Sequence, residues 1–111
     1  MSKRNAKLLL DDLLEAIEKI QTYTNELQFD DFQNDTKTID AVIRNIEIIG
    51  EATAHFPTEF IQKHPDIQWH KIISTRNRII HGYFDVSLKL VWQIIENELP
   101  TLKTKIQTLL K

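Results

Sequence analysis

Apolar residues recur at three- and four-residue steps along most of this chain, the spacing that lines one face of an α-helix. The first such stripe predicts a helix from roughly Asn5 to Leu27, and the second predicts one from about Thr36 to Ala54. The period is broken between them by the segment QFDDFQNDT, which we interpret as a connection. Phe29 and Phe32 in this connection are expected to fold back onto the core.

Two features mark the second helix. Asp35 or Thr36 is expected to cap its start, because a side-chain oxygen there can accept from an unpaired backbone amide of the first turn. Gly50 lies near its end, where a glycine costs roughly 1 kcal/mol relative to alanine. That cost is tolerable if another backbone must approach the helix closely at this point.

Two prolines delimit the segment that follows. Pro57 suits the first turn of a short helix, and Pro65 is expected to end it. Asp66 is then expected to start a further helical piece, which leads into Arg76 and ends at Gly82.

The last apolar stripe begins near Ser87, a good N-cap, and continues through Pro100. Because the period survives the proline, it predicts one long helix with a kink or two nearly collinear pieces. The sequence contains no alternating strand pattern. We therefore expect an all-α bundle of four main helices plus short ones, forming a single domain over residues 1–111.

The composition is that of an ordinary globular chain, since 41% of the 111 residues are hydrophobic. There is no cysteine, which excludes disulfides, thiolate zinc sites and a cysteine nucleophile and fits a reducing cytoplasm. Near the N-terminus, Asp11 and Asp12 interrupt an apolar run too short for a secretory signal or a membrane span. We expect a soluble, cytoplasmic protein with no membrane association.

Charge is distributed unevenly, although the formal net charge is only −2. Residues 11–51 carry eleven acidic and three basic side chains, whereas residues 63–81 carry four basic side chains, three histidines and one acid. A local basic patch on a mildly acidic chain indicates an anionic partner that binds at one place. The alternative is a solvated basic face of a helix.

The basic patch leads into the stretch RNRIIHGYFDV, residues 76–86. On a helix, Asn77 and His81 are four residues apart and share a face. Arg76 and His81 are five apart, so ideal helical rotation separates them by well over a right angle. They can converge on one ligand only if the chain deviates from an ideal helix near His81.

These residue types suit metal-free cleavage of RNA. Arg76 offers a permanently charged, planar fork for a phosphate, and His81 has both protonation states available near neutrality. Asn77 can orient either group, and Tyr83 supplies a hydroxyl and a ring on which a base can stack. The ribose 2′-hydroxyl would be the nucleophile. The alternatives are a histidine that only complements the helix dipole, an arginine that is only solvated and a tyrosine that only packs in the core.

The remaining histidines are weaker candidates. His55, His64 and His70 lack partners at metal-ligand spacing, and the pair Glu51 and His55 at i, i+4 is a frequent accident. We therefore expect neither a metal nor any other cofactor.

The sequence resembles the HepT-like branch of the HEPN superfamily, the toxin half of the HepT/MntA toxin–antitoxin pairs. The resemblance covers nearly the whole chain and includes the segments LLLDDLLEAIEKIQTYT, AVIRNIEIIGEA, IQWHKIISTRNRIIHGYF and VWQIIENELPTLK. Its signature is Arg, Asn, three residues, His, one residue and Tyr, which corresponds here to Arg76, Asn77, His81 and Tyr83.

The resemblance implies a HEPN-type four-helix bundle that acts as a two-fold homodimer, with the signature lining a cleft at the interface. It implies a metal-independent endoribonuclease that cuts messenger or transfer RNA, with Arg76 and His81 catalytic and Asn77 in support. It also implies a type VII toxin–antitoxin system, in which an MntA-like nucleotidyltransferase antitoxin neutralises the toxin by transferring AMP to Tyr83.

Three functions stay open at this point. The favoured one is a toxin ribonuclease. The second is a non-catalytic, substrate-binding subunit of a nucleotidyltransferase, which presents Tyr83 or a nucleotide to its partner. The third is a plain helical dimerisation module, for which no salt-dependent binding of RNA is expected.

Overall fold

The computed structural model describes residues 5–81 and 87–111, which form helices and the turns between them. In chain order the helices are α1 (Ala6–Thr24), α2 (Phe29–Gln33), α3 (Thr36–Ala54), α4 (Thr58–Lys63), α5 (Trp69–His81), α6 (Leu88–Gln93) and α7 (Leu99–Leu110). A π-helical turn, Ile94–Glu98, joins the last two. The described ranges contain no strand, and the expected all-α fold class is confirmed.

The long helices pack in sequence-adjacent pairs. α3 lies against both α1 and α5, and α7 returns to α1. The core between them consists of apolar residues from all four long helices and the short α2 and α6, of which the most deeply buried include Leu13, Ile17, Ile20, Phe32, Val42, Ile79, Val91 and Ile106. α3 is therefore central to the fold, and α5 packs directly against it.

Two of the expected helix caps are confirmed. The Asp35 carboxylate accepts from the backbone amide of Thr38 at 3.1 Å and from its hydroxyl at 2.6 Å, and α3 begins at the next residue. The Ser87 hydroxyl accepts from the amide of Lys89 at 3.1 Å at the start of α6. In both caps, the bond from the backbone amide satisfies a donor that has no partner within the helix itself.

The segment expected to be a plain connection contains the short helix α2. Its start is held by the backbone amide of Gln28, which donates to the Asp31 carboxylate at 2.8 Å. The expected return of the aromatic side chains to the core is correct: Phe32 is fully buried, and its ring centroid lies 5.1 Å from that of Trp92. Phe29 packs on the same indole at 6.3 Å.

Helix α5 begins at Trp69, three residues later than the expected start at Asp66. The carbonyl of His64 accepts from the backbone amide of Ile67 at 3.3 Å and from the Trp69 indole at 2.9 Å. These bonds hold the residues between them in a turn. These local hydrogen bonds therefore move the start of α5 from Asp66 to Trp69.

The C-terminal stripe forms the continuous run α6, π-turn and α7, as the surviving period predicts. Pro100 lies in the first turn of α7, immediately after the π-turn. At the turn, the amide of Leu99 donates to the carbonyl of Ile94, five residues back. The extra residue shifts the hydrogen-bond register immediately before the proline, which has no backbone amide to donate.

None of the helices within residues 5–81 and 87–111 is both long and apolar enough to cross a membrane. That residues 1–111 form one domain stays a prediction.

Asp35→Ala is expected to lower the melting temperature at neutral pH by a few degrees, because the first turn of α3 loses its acceptor. In the native chain, hydrogen bonds from the hydroxyl and amide of Thr38 lower the pKa of the Asp35 carboxyl below its ordinary value of 3.8. A pKa lowered by folding adds stability above the unfolded pKa, which is lost as the pH falls through the folded pKa. Thermal melts should show the two proteins converging below pH 3.8.

Asp35→Asn is the matched control. It keeps an oxygen acceptor for Thr38 but cannot ionise, so its cap should survive acidification. A native chain whose stability advantage over Asp35→Ala persisted at the lowest pH would contradict this account.

Candidate active site on helix α5

Helix α5 is fixed to the core near both ends of its length. Trp69, its first residue, is 3% exposed, and Ile79, one turn from its end, is 1% exposed. The Trp69 ring packs on Phe56 with centroids 4.9 Å apart. The part of α5 that carries Arg76 and Asn77 also packs against α3, and its polar side chains lie on the remaining circumference of the helix.

The side chain of Arg76 leaves α5 directly against the backbone of α3 at Gly50. A Cβ atom built at position 50 would lie 2.2 Å from Cγ of Arg76, 2.3 Å from its Cβ and 3.0 Å from its Cδ. Carbon–carbon contacts are normally about 3.5–4.0 Å, so no side chain larger than a hydrogen fits here. The close approach that makes a glycine tolerable in α3 is present, although a side chain rather than a backbone makes it.

The guanidinium of Arg76 has three different polar environments. Its Nη1 donates to Oδ1 of Asn77 at 2.8 Å. Its Nη2 lies 3.6 Å from Oε1 of Glu51 on α3, an ion pair that is too long to be a hydrogen bond. Its Nε is buried and has no hydrogen-bond partner among the described residues. The side chain as a whole is 26% exposed, so the guanidinium reaches the surface from a largely covered stem.

A buried donor without a partner costs about 1–3 kcal/mol. Such a group in a native structure calls for a physical reason. Here the packing of the Arg76 stem on Gly50 supplies a reason, because it fixes a side chain whose buried Nε meets no acceptor of the described residues while both terminal nitrogens have partners. The position of Arg76 is thus set by helix packing and not by optimal hydrogen bonding of its own donors.

His81 is the last described residue of α5, and it is exposed. The helix is regular from Trp69 to His81, so within one chain Arg76 and His81 diverge by about 140° around its axis. The deviation that would let them converge does not occur up to His81. Asn77 lies one turn before His81 on the same face and is bonded to Arg76. One chain therefore joins Arg76 to Asn77 and aligns Asn77 with His81, but does not bring Arg76 and His81 together.

Two predictions from the sequence concern residues outside the described ranges. These are Gly82 as the end of α5 and Tyr83 as a functional hydroxyl.

Glu51 is the site residue that the sequence did not reveal. The sequence pairs it with His55 at i, i+4, whereas in the structure its carboxylate faces Arg76 on a different helix. The available signal was Gly50 immediately before it, because a glycine within a helix marks a place where another group comes close. Within the described ranges, no three His, Asp or Glu side chains are arranged to hold a metal ion.

Two adjoining hollows lie between α5 and the segment from α6 to α7. Their volumes are about 270 and 310 Å³, and both are lined by Lys71, Thr75, Ile94, Asn97 and Glu98. Arg78 lines the second, whereas neither lining includes Arg76 or His81. Lys71 and Arg78 therefore border these hollows, whereas Arg76 does not.

Comparison with known proteins gives a consistent result. The family model described as Ribonuclease HepT-like matches residues 13–109. The protein named "Probable ribonuclease HepT" from Thermococcus cleftensis is 43% identical over 109 residues, which cover 98% of this chain and 99% of that protein. A candidate RNase of Methanocaldococcus jannaschii is 37% identical over 111 residues, 100% of this chain and 92% of its own length. A candidate RNase of Caldanaerobacter subterraneus is 33% identical over 102 residues, 92% and 91% of the two chains.

The chain belongs to the Ribonuclease HepT-like family, and the resemblance found in the sequence is confirmed. No solved structure matches the chain significantly. The matched segment includes α5 and all four signature residues.

Gly50→Ala is expected to destabilise the fold by about 1–3 kcal/mol, the range typical of an overpacked contact. The new methyl group would lie 2.2 Å from Cγ and 2.3 Å from Cβ of Arg76, and a Cβ can move only with its backbone, so α5 would have to shift away from α3. This outweighs the roughly 1 kcal/mol by which alanine is the better helix former. Chemical denaturation measures the difference.

Ala41→Gly is the reference for helix propensity alone, since it introduces a glycine near the middle of α3. Ala41→Gly should also destabilise the fold. Replacing glycine by alanine at position 50 and alanine by glycine at position 41 should therefore both lower the free energy of unfolding. A Gly50→Ala protein that is more stable than the native chain would show that α5 does not press on this position.

Proposed function

We propose that this protein is a metal-independent endoribonuclease that acts as the toxin of a type VII toxin–antitoxin pair. Arg76 and His81 are its catalytic residues, and Asn77 supports them. Its antitoxin is an MntA-like nucleotidyltransferase that adenylylates Tyr83. The observation that carries this proposal is membership of the Ribonuclease HepT-like family through a segment, residues 13–109, that contains all four residues.

Arg76 is suited to hold the phosphate at which RNA is cut. Its Nη1 donates to Asn77, while its Nη2, among the described residues, makes a long contact with Glu51 and keeps donor capacity for a second acceptor. A guanidinium is permanently charged, and its stem on Gly50 limits the directions in which it can turn. A donor held in place before charge develops on the phosphorane stabilises that charge without reorganisation.

His81 supplies proton transfer. In the proposed reaction the ribose 2′-hydroxyl attacks the neighbouring phosphorus, the bond to the 5′-oxygen breaks, and a 2′,3′-cyclic phosphate and a 5′-hydroxyl result. A proton leaves the 2′-oxygen and another joins the 5′-oxygen. An exposed imidazole can accept a proton at one ring nitrogen and donate one, so it can perform either transfer.

A homodimer is part of the proposal because one chain does not bring its two catalytic side chains together. A second copy related by a two-fold axis can set its His81 against the first copy's Arg76. Ile73 and Ile80 are half-buried in the single chain, lie seven residues apart on one face of α5 and flank Arg76 and Asn77. Partly exposed isoleucines beside hydrogen-bonding side chains suit contact with a second copy, because interfaces combine apolar contact with hydrogen bonds.

Adenylylation accounts for silencing. The Tyr83 oxygen attacks the α-phosphorus of ATP, an oxygen–phosphorus bond forms, pyrophosphate leaves and the phenolic proton is released. The attached AMP adds a bulky negative charge two residues from His81. It would compete for Arg76 and obstruct RNA. Both RNA and ATP are available in the cytoplasm, where we propose the protein acts.

His81→Ala is expected to lower RNA cleavage by about 10²–10⁴-fold, the usual contribution of a general acid or base. Arg76→Ala should also abolish measurable cleavage, because the phosphate loses its charged ligand. Gel analysis of purified protein with cellular messenger and transfer RNA, in EDTA, measures the rate. Growth after expression of each variant alone gives the parallel readout.

His70→Ala and Arg78→Ala are the matched controls, since each removes the same side-chain type from an exposed position of α5. Both should still cleave RNA. A native chain that never cuts RNA and does not slow growth, yet binds a nucleotidyltransferase tightly, would instead favour the non-catalytic partner subunit.

Tyr83→Phe is expected to keep cleavage but to escape neutralisation, because it lacks the oxygen that accepts AMP. Cells that express this variant with the antitoxin should stop growing, whereas cells with the native pair should grow. Intact-mass analysis should find one added AMP on the native chain only. An AMP on the Tyr83→Phe protein would assign the modification to another residue. Tyr23→Phe is the control, because Tyr23 is the other tyrosine of the sequence and is exposed.

A further inference from the structure

Glu51 and Arg76 form an ion pair unlike the other arginine ion pair of the described residues, Arg44 with Glu47. It joins two different long helices, α3 and α5, whereas Arg44 and Glu47 pair within one turn of α3. Arg44 is 61% exposed and bonds Glu47 at 2.6 Å. Arg76 is 26% exposed and stays 3.6 Å from Glu51. The pair on α3 is an ordinary surface contact, and the pair between helices involves a guanidinium whose stem cannot move freely.

We propose that Glu51 is the positioning residue of the active site: together with Gly50 it sets the orientation in which the Arg76 guanidinium meets the phosphate. This inference rests on the proposed function. Gly50 and Glu51 act as consecutive residues of α3, the first by admitting the arginine stem and the second by attracting its outer nitrogen.

Three contacts define the orientation. The stem lies on Gly50, Nη1 bonds Asn77 on its own helix, and Nη2 faces Glu51 on the neighbouring helix. Without Glu51 the guanidinium is held on one side only and can turn about its last bonds towards Asn77. Because the Glu51 contact is longer than a hydrogen bond, it attracts Nη2 without saturating its donors. The phosphate can therefore bind to a group whose direction is already fixed.

A positioning carboxylate has opposite effects on binding and on turnover. Its negative charge repels the phosphates of RNA, so its removal should strengthen binding. Its loss also frees the guanidinium, so a bound RNA should react more slowly. A residue that only stabilised the fold would not produce this opposition, because loss of folded protein lowers the rate without tightening the binding of RNA.

The test is Glu51→Gln, which removes the charge and keeps the size of the side chain. We expect kcat to fall by roughly 10–100-fold, as for misplacement of a catalytic group by about 1 Å, while KM also falls. Binding of a 2′-O-methylated RNA, which cannot be cut, should tighten and depend more steeply on salt. The increase in slope should reach up to about 0.7, the value for one more phosphate contact on a single strand.

Glu47→Gln is the matched control. It makes the same substitution on the same helix, but the ion pair that it breaks is shorter and does not involve Arg76. Its kcat and KM should stay near those of the native chain. An unchanged kcat in Glu51→Gln would overturn the inference. So would a loss of kcat with KM unchanged or raised, or a loss that Glu47→Gln shares.

A second measurement does not depend on cleavage. The chain has four arginines, and NMR can measure how fast the Nε–H of each exchanges with water. The buried Nε–H of Arg76 should exchange more slowly than the other three. Its resonance is assigned as the one that is absent in Arg76→Lys. Glu51→Gln should accelerate that exchange, and Glu47→Gln should not. If the native chain cuts no RNA, the proposed function fails, whether or not this exchange responds. If it cuts RNA and the exchange is indifferent to Glu51, only the positioning role fails.

Discussion

The close approach of α5 to α3 at Gly50 is the constraint on which the candidate site depends. An arginine stem lies where any Cβ on α3 would be 2.2 Å from its Cγ, so one missing methyl group on one helix determines where the guanidinium of the other emerges. The cost is visible in the buried Nε of the same side chain, a donor that has no hydrogen-bond partner among the described residues. In natural proteins, locally unfavourable features of this kind tend to occur at functional sites, where position matters more than local stability.

Periodicity and caps predict most of the helices because both are local. Apolar spacing and the Asp35 cap locate α3 at Thr36–Ala54, and Ser87 marks the start of α6. The errors arise where a side chain competes with the pattern. The Asp31 carboxylate starts the short helix α2 inside an apparent connection, and the Trp69 indole bonds the carbonyl of His64 and delays α5. Nor does an apolar stripe distinguish a kink from the π-turn observed before Pro100, since both preserve one buried face.

The candidate site likewise has one part that local sequence predicts and another that depends on packing between helices. Arg76, Asn77 and His81 are found from the sequence because they share one helix and their types suit one chemistry. Glu51 is separated from Arg76 by 25 positions and a second helix, and nothing in an isolated sequence reports a 3.6 Å contact across that separation. Gly50 was visible as an anomaly within a helix, but its partner was not. Tertiary contacts of this kind require the packing angle and register of two helices, which local patterns leave undetermined.

The regular geometry of α5 favours a dimeric architecture for the proposed enzyme. An α-helix that stays regular through His81 keeps Arg76 about 140° away around its axis, and the stem packing at Gly50 prevents the arginine from compensating by swinging freely. The same rigidity that fixes one catalytic group therefore prevents it from meeting the other within one chain. Two-fold symmetry removes the conflict, because an isologous contact sets unlike positions of the two copies against each other. In this proposal the fold holds the arginine in place, and dimerisation brings the histidine to it.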